Sequence, residues 1–270
     1  MMKHWMPLLA AVLALSACCQ APAGSPAVVA HRGYWKCEGG AQNSISSLSN
    51  AAAIKVWGSE FDVWMTTDDT LVVNHDAKFN KILLKDAKYA DFKNMPLDNG
   101  ELMSTVDEYL AKGLEYPELE MVFEIKTYRD GMDSVYEARV VPAVIAAVKK
   151  YGLEKRTTFI AFSLTVCEQV AKLMPENTVQ YLNGDLSPKE VFEHGINGID
   201  YHYSCFQQHP EWVKEAHDLG MSVNCWTVNA PSVIREMIDL GVDQITTNEP
   251  TLVQKIIGGK SGCCKKSCCQ

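Results

Sequence analysis

Short uninterrupted apolar runs recur along this chain, each followed by a polar turn and then by apolar residues three to four apart. The first run covers residues 27–30 and stops at His31. After a loop containing Gly39-Gly40, Asn43-Ser44 caps a predicted helix reaching towards Val56, with Ile45, Leu48, Ala52 and Val56 on one face. Residues 60–65 are extended, Asp68-Asp69 makes a turn, and residues 71–73 return as a strand to His75. Residues 77–104 are polar and irregular, an excursion from the main pattern. A helix follows over 104–112, a strand over 121–126 and a helix over 134–151.

Strand and helix then alternate strictly. The pairs are 158–162 with 165–174, 179–182 with 187–194, 198–203 with 210–219, 221–228 with 231–240, and 244–247 with 250–257. Counting the hairpin with the second unit, that makes eight strand-plus-helix units. Strands that are apolar throughout, separated by amphipathic helices, imply a parallel sheet covered on its outer face. Eight units in roughly 230 residues fit a (β/α)8 TIM barrel with a small insertion after the second strand unit. A doubly wound sheet fits less well, because no G-x-G-x-x-G follows the first strand.

Composition adds little to the fold and something to the setting. The chain has 270 residues, enough for a sizeable core, and its net charge of −8 argues against a nucleic-acid partner. Lys3, the apolar run 6–15 and Leu15-Ser16-Ala17-Cys18 read as a secretory signal over 1–17, too short to span a membrane as a mature helix. The last four of these residues resemble a bacterial lipoprotein box. Cys18 would then be lipidated and start the mature protein, residues 18–26 forming a short tether to the envelope. The domain proper is expected over 27–257, with a Cys/Lys/Gly-rich tail at 258–270. Cys37, Cys167, Cys205 and Cys225 are scattered, and export permits disulfides among them without requiring any. Cys263-Cys264 and Cys268-Cys269 in the tail have a spacing open to a soft metal, to disulfides or to no role at all.

The chemistry gathers where a barrel would put it, at the C-terminal strand ends. His31 and Arg32 end the first strand, Glu60 and Asp62 lie in the second, His75 follows its hairpin, and Glu124 and Lys126 end the third. Residues two apart on a strand point to one side, so Glu60 and Asp62 share a face, as do Glu124 and Lys126. Three carboxylates crowded into one mouth cost several kcal/mol if buried uncompensated. A hard divalent cation removes that cost, and oxygen-only ligands suit Ca²⁺ or Mg²⁺ rather than zinc. Arg32 and Lys126 beside such an ion suit an anion, most naturally a phosphate. His31 and His75 supply an acid/base pair worth roughly 10²–10⁴-fold for each proton transfer, so cationic stabilisation must carry the rest of a diesterase rate.

These motifs resemble the glycerophosphodiester phosphodiesterase family. The resemblance rests on His31-Arg32-Gly33, Glu60-x-Asp62-Val63-x-x-Thr66-x-Asp68, Val73-Asn74-His75-Asp76, Phe123-Glu124-Ile125-Lys126, Trp226-Thr227-Val228-Asn229 and Ile245-Thr246-Thr247-Asn248-Glu249-Pro250. It implies hydrolysis of a small-molecule glycerophosphodiester to an alcohol and glycerol 3-phosphate. It also implies Glu60, Asp62 and Glu124 as metal ligands, His31 and His75 as acid and base, and Arg32 and Lys126 on the phosphate. The glycerol 2-hydroxyl would attack phosphorus, and water would open the resulting cyclic phosphate. The 77–104 stretch would cover the site, and Trp226 is placed either against the glycerol or in the barrel core. Two positions depart from the family pattern. Gln42 stands where an acid is usual, which calls the support of Arg32 into question, and Asn248 stands where Asp is usual. Rival readings are a phosphatidylinositol-specific phospholipase C or sphingomyelinase D type barrel, and a non-catalytic surface lipoprotein. A degenerate binder should have lost a ligand or a histidine, and this chain retains all of them.

Overall fold

The computed structural model describes residues 24–128 and 133–263, with side chains as far as residue 259. In chain order the elements begin β1 (Ala27–Ala30), α1 (Ile45–Ala53), β2 (Gly58–Met65), β3 (Leu71–Val73), β4 (Lys78–Phe79), β5 (Ile82–Leu83) and α2 (Val106–Gly113). Next come β6 (Glu120–Ile125), α3 (Ser134–Lys150), β7 (Thr157–Ala161), α4 (Leu164–Leu173), β8 (Val179–Tyr181) and α5 (Pro188–Glu193). The chain closes with β9 (Gly198–His202), α6 (Tyr203–Gln208), α7 (Glu211–Asp218), β10 (Ser222–Trp226), α8 (Pro231–Leu240), β11 (Gln244–Thr247) and α9 (Pro250–Cys263).

Strands β1, β2 and β6 to β11 form a closed parallel ring, β1 pairing with both β2 and β11. In this sheet, among the described residues, β3 alone runs antiparallel, as a hairpin on β2. The (β/α)8 barrel expected from the sequence is therefore present. Closure sorts the side chains by strand parity. Outward-facing residues such as Phe61, Phe123, Phe159 and Ile199 are fully buried under the helices. Burying each such side chain contributes about 1.5–3 kcal/mol. Inside the ring a small apolar layer of Val29, Val122, Ile160 and Leu182 fills the waist. Below it, Gln180 donates to Ser222 (3.1 Å) and Gln244 (2.8 Å), and Thr158 donates to Glu120 (2.8 Å). The polar chemistry of interest lies above that layer.

Three boundaries differ from expectation. Residues 77–104 are not wholly irregular: they hold the β4–β5 hairpin and two 3-10 turns, and they bury Leu84, Phe92 and Met103 in the main core. With Ala87 these make four buried apolar anchors, and spread irregularly over 28 residues they carry too little periodicity to be seen as structure in the sequence. Tyr203 opens the extra helix α6 rather than ending β9, because the His202 side chain caps that turn by accepting from Ser204 N. α9 runs through Gly258-Gly259 to Cys263, beyond the expected end at 257; glycine permits a helix stop without imposing one. Cys37, Cys167, Cys205 and Cys225 are all free thiols. The expected signal sequence at 1–17, the lipidation residue Cys18 and tail residues 264–270 lie outside the described residues, and nothing of the Cys263 side chain is described.

Candidate active site

The site starts with the turn after β1. His31 N–H continues the ladder to Thr247 O (3.0 Å), and then the chain reverses. Arg32 takes φ 58°, a left-handed conformation that costs a non-glycine residue about 1–3 kcal/mol. That conformation turns the Arg32 N–H onto Glu60 Oε2 at 2.6 Å. Gly33 follows at φ 75°, donating to Glu60 O (3.1 Å), and a Cβ there would lie 2.4 Å from Ser47 Oγ. Only glycine satisfies both demands.

Glu60, Asp62 and Glu124 converge as strand parity predicts, Asp62 and Glu124 being direct neighbours across β2 and β6. All three are buried, and one oxygen from each lies within 4.8 Å of the others, a grouping able to hold a metal ion. Lys126 Nζ lies 2.6 Å from Glu124 Oε1 and 3.0 Å from Asp62 Oδ1, while Arg32 Nε is 3.7 Å from Asp62 Oδ2. Two cations against three carboxylates leave an excess of negative charge in a dry place. Glu60 Oε1 is buried without a hydrogen-bond partner.

Electrostatics follow from that imbalance. Burial pushes the Glu60 carboxyl well above its ordinary value, and the charges of Asp62 and Glu124 push it further. Burial raises Glu124 to about 7 against the pull of Lys126, with Asp62 adding to the rise. Burial also presses on Asp62, but Lys126, His75, Arg32 and the Asn43 amide outweigh it and hold its carboxyl below the usual range. For Lys126, burial disfavours the ammonium, and Glu124 with Asp62 more than restores it.

The two histidines stand beside this group. His31 Nδ1 lies 2.8 Å from Asn248 Oδ1, and His75 Nδ1 lies 2.8 Å from Asp76 Oδ1. Burial, reinforced by Arg32, lowers His31 to about 4. Burial likewise lowers His75, opposed by Asp62 and Asp76. The His75 loop is held by Trp64 Nε1, which donates to His75 O (3.1 Å), and by Asn74 N, which donates to Asp62 O (3.0 Å).

Trp226 is half-buried at the rim. Its indole donates to Asp200 O (2.9 Å), and its ring meets Phe162 (5.6 Å) and His202 (5.2 Å) edge to face. Lys126 Nζ lies 5.9 Å from the Phe162 ring. The mouth thus has an acidic half and an aromatic half. The far end of the 77–104 segment reaches the rim of the β1 loop: Asn99 Nδ2 donates to Gly39 O (2.9 Å), and Glu101 Oε2 accepts from Ser46 N (3.3 Å).

Every residue expected at the mouth is there. Sequence reasoning missed three others. Asn43 looked like a helix cap, yet Ser44 caps α1; Asn43 instead donates to Asp62 Oδ2 (2.8 Å) and accepts from Asp62 N (3.1 Å). Phe162 was detectable by parity, two residues beyond the inward-facing Ile160. Asn248 was seen only as a departure, whereas it is the His31 partner. Support for Arg32 also survives the other departure, since Arg32 Nη1 donates to Gln42 Oε1 at 2.5 Å. Gln42 supplies a neutral acceptor in place of an acid.

Comparison with known proteins bears on the family and the fold. Residues 31–252 match the model of the Glycerophosphoryl diester phosphodiesterase family. A glycerophosphodiester phosphodiesterase of Caldanaerobacter subterraneus is 27% identical over 86% of this chain and 98% of its own. The crystal structure of a glycerophosphodiester phosphodiesterase from Parabacteroides distasonis superposes with a TM-score of 0.85 at 42% identity, covering 88% of this chain and 98% of that one. The fold is shared too by an Oleispira antarctica phosphodiesterase solved with the product sn-glycerol-3-phosphate (TM-score 0.74, 22% identity, 87% and 97% coverage). This chain is an enzyme that belongs to the glycerophosphoryl diester phosphodiesterase family.

Proposed function

We propose that this enzyme hydrolyses glycerophosphodiesters to an alcohol and glycerol 3-phosphate, with His31 and His75 as the proton-transfer pair and Glu60, Asp62 and Glu124 as ligands of one Ca²⁺ or Mg²⁺. One observation carries the reading. Three buried carboxylates, two cations and two histidines meet at one barrel mouth, and Glu60 Oε1 has no protein partner there. An orphaned buried carboxylate oxygen in an all-oxygen cluster fits a hard cation. Bound there, the cation would stabilise negative charge on a phosphoryl oxygen.

The chain's own residues account for the rest. Arg32 and Lys126 hold the phosphate, Lys126 as a point charge and Arg32 through its fork of donors. One histidine takes the proton of the glycerol 2-hydroxyl as it attacks phosphorus, and the other protonates the departing alcohol. Nucleophile and phosphorus share one molecule, so proximity favours a cyclic phosphate, which water then opens. Trp226 and Phe162 offer the aromatic wall on which the substrate's carbon atoms pack. The 77–104 segment forms part of the rim, and the barrel domain extends over 27–257.

The reading is tested by comparing turnover of glycerophosphocholine, glycerophosphoethanolamine and glycerophosphoinositol with turnover of intact phosphatidylinositol and sphingomyelin. Release of glycerol 3-phosphate from the small diesters is the expected outcome. Cleavage of the intact lipids alone would move the enzyme to a phospholipase.

The carboxylate cluster also sets a pH dependence. Glu124 has a folded value of about 7 against an ordinary 4.5, so the folded protein holds a proton that the unfolded chain has lost. The stability this contributes is complete below about 4.5 and disappears as pH rises through about 7. In EDTA, Tm should therefore fall between pH 5 and pH 8 by a few degrees, at about 2–4 °C per kcal/mol for a domain of this size. Ca²⁺ or Mg²⁺ should restore more stability at pH 8 than at pH 5, because metal and proton compete for the same oxygens. Glu124→Gln should flatten both trends in a melting series; an unchanged slope would remove Glu124 as their origin.

The reading extends to location: the enzyme is exported and anchored by lipid on Cys18, placing hydrolysis at the bacterial envelope. The sequence Leu15-Ser16-Ala17-Cys18 supports this. Metabolic labelling with a fatty acid should mark the wild type and miss Cys18→Ala, and equal labelling of both would refute it.

A further inference from the structure

We propose that Asn248 is a positioning residue that holds His31 as its Nδ1–H tautomer with Nε2 bare, and that its uncharged amide makes His31 the proton acceptor of the first chemical step. The tautomer stands on geometry alone; the division of labour rests on the diesterase reading above.

The donor logic leaves one solution. Asn248 Oδ1 lies 3.3 Å from Trp35 Nε1 and 2.8 Å from His31 Nδ1. An indole N–H can only donate, so the Asn248 atom that it meets must be the carbonyl oxygen. That same oxygen requires a donor from His31, which puts the imidazole proton on Nδ1. A neutral imidazole carries one proton, so Nε2 keeps its lone pair. Asn248 is itself fixed, its N–H donating to Asn229 Oδ1 at 2.9 Å, and Asn229 Oδ1 also accepts from Thr247 Oγ1 (3.2 Å). His31 N–H bonds to Thr247 O, so imidazole and amide hang from one turn.

His75 has the opposite kind of partner. Its Nδ1 faces the carboxylate of Asp76, which steadies an imidazolium in a way that a neutral amide does not. The charged groups facing His31 are Arg32 and His75, which disfavour its protonation, and Asp62, which favours it. Beyond Asn248, Glu249 is already paired with Lys36 at 2.6 Å. Burial, Lys126 and Arg32 draw His75 down, while Asp62 and Asp76 act to keep its proton.

The first step then balances. The glycerol 2-hydroxyl proton passes to His31 Nε2 as the O–P bond forms. The bond from phosphorus to the alcohol oxygen breaks, and that oxygen takes the proton from His75 Nε2. In ring opening the roles reverse: His75 takes a proton from water as water adds to phosphorus, and His31 returns its proton to the 2-oxygen.

The test combines histidine ¹⁵N NMR, with His31→Gln to assign the resonance, and steady-state kinetics. The wild type should show His31 protonated at Nδ1. Asn248→Ala should give mixed tautomers and lose about 10–100-fold in kcat, the scale of losing a group that orients a functional histidine. Its KM should change by less than about threefold, since ground-state binding is untouched. Asn248→Asp should restore the tautomer and most of kcat, and should move the acidic limb of the pH profile up by about one pH unit or more. An Nε2–H tautomer in the wild type, or an unchanged tautomer and kcat in Asn248→Ala, would overturn the positioning role. An unmoved acidic limb in Asn248→Asp would overturn the assignment of His31 as acceptor. A wild type with no diesterase turnover would remove the functional reading and the division of labour together, while the spectrum still decides the tautomer.

Discussion

Replacing either His31 or His75 by alanine is expected to lower kcat by about 10²–10⁴-fold while leaving the fold unchanged. Each imidazole is tied at Nδ1 to an oxygen, His31 to Asn248 and His75 to Asp76, so each has a single nitrogen, Nε2, left for substrate. Removing one leaves either the nucleophile without a base or the leaving alcohol without an acid. Neither histidine belongs to the hydrophobic core, so circular dichroism and Tm should hardly change. The double variant should lose little more than the worse single one, because the two act in one concerted proton relay. Stopped turnover assays under saturating substrate measure this directly. Near-normal kcat in either single variant would end the acid/base assignment.

The second large effect is expected at the carboxylates. Asp62→Asn keeps the shape of the side chain and removes the charge that faces Lys126, Arg32 and Asn43. Divalent-cation affinity, measured by calorimetry, should fall by at least about tenfold to a hundredfold, and kcat by at least about 10³-fold, given that cationic stabilisation supplies most of a diesterase rate. Glu120→Gln is the matched control. Glu120 lies on β6, the neighbour of the β2 strand that carries Asp62, but at the opposite end of the ring, bonded to Thr158. It should alter neither affinity nor kcat. Equal losses in the two variants would point to general destabilisation rather than to a metal site.

Much of this was legible in the sequence because strand parity and apolar runs are strong local signals. The eight units follow from uninterrupted apolar runs alternating with helical spacing, and the shared face of Glu60 and Asp62 and that of Glu124 and Lys126 follow from period-2 alternation. What escaped depends on non-local pairing. Asn43 reads as a cap because Asn before Ser is a common helix start, and only the approach of β2 shows it holding Asp62. Asn248 lies 217 residues from His31, and no local pattern joins them. The 77–104 segment hid its hairpin because Leu84, Phe92 and Met103 are buried by tertiary contact and lack a repeat. The Trp226-Thr227-Val228-Asn229 motif was legible as a pattern but not as a device. Its Asn229 fastens the turn that carries Asn248, and its Trp226 lines the mouth.

The most direct measurement is release of glycerol 3-phosphate from a glycerophosphodiester by the wild type, first treated with EDTA and then supplied with Ca²⁺ or Mg²⁺. Glu60, Asp62 and Glu124 as a metal site predict negligible turnover in EDTA and recovery with one or both cations. Full activity in the metal-free enzyme would contradict it.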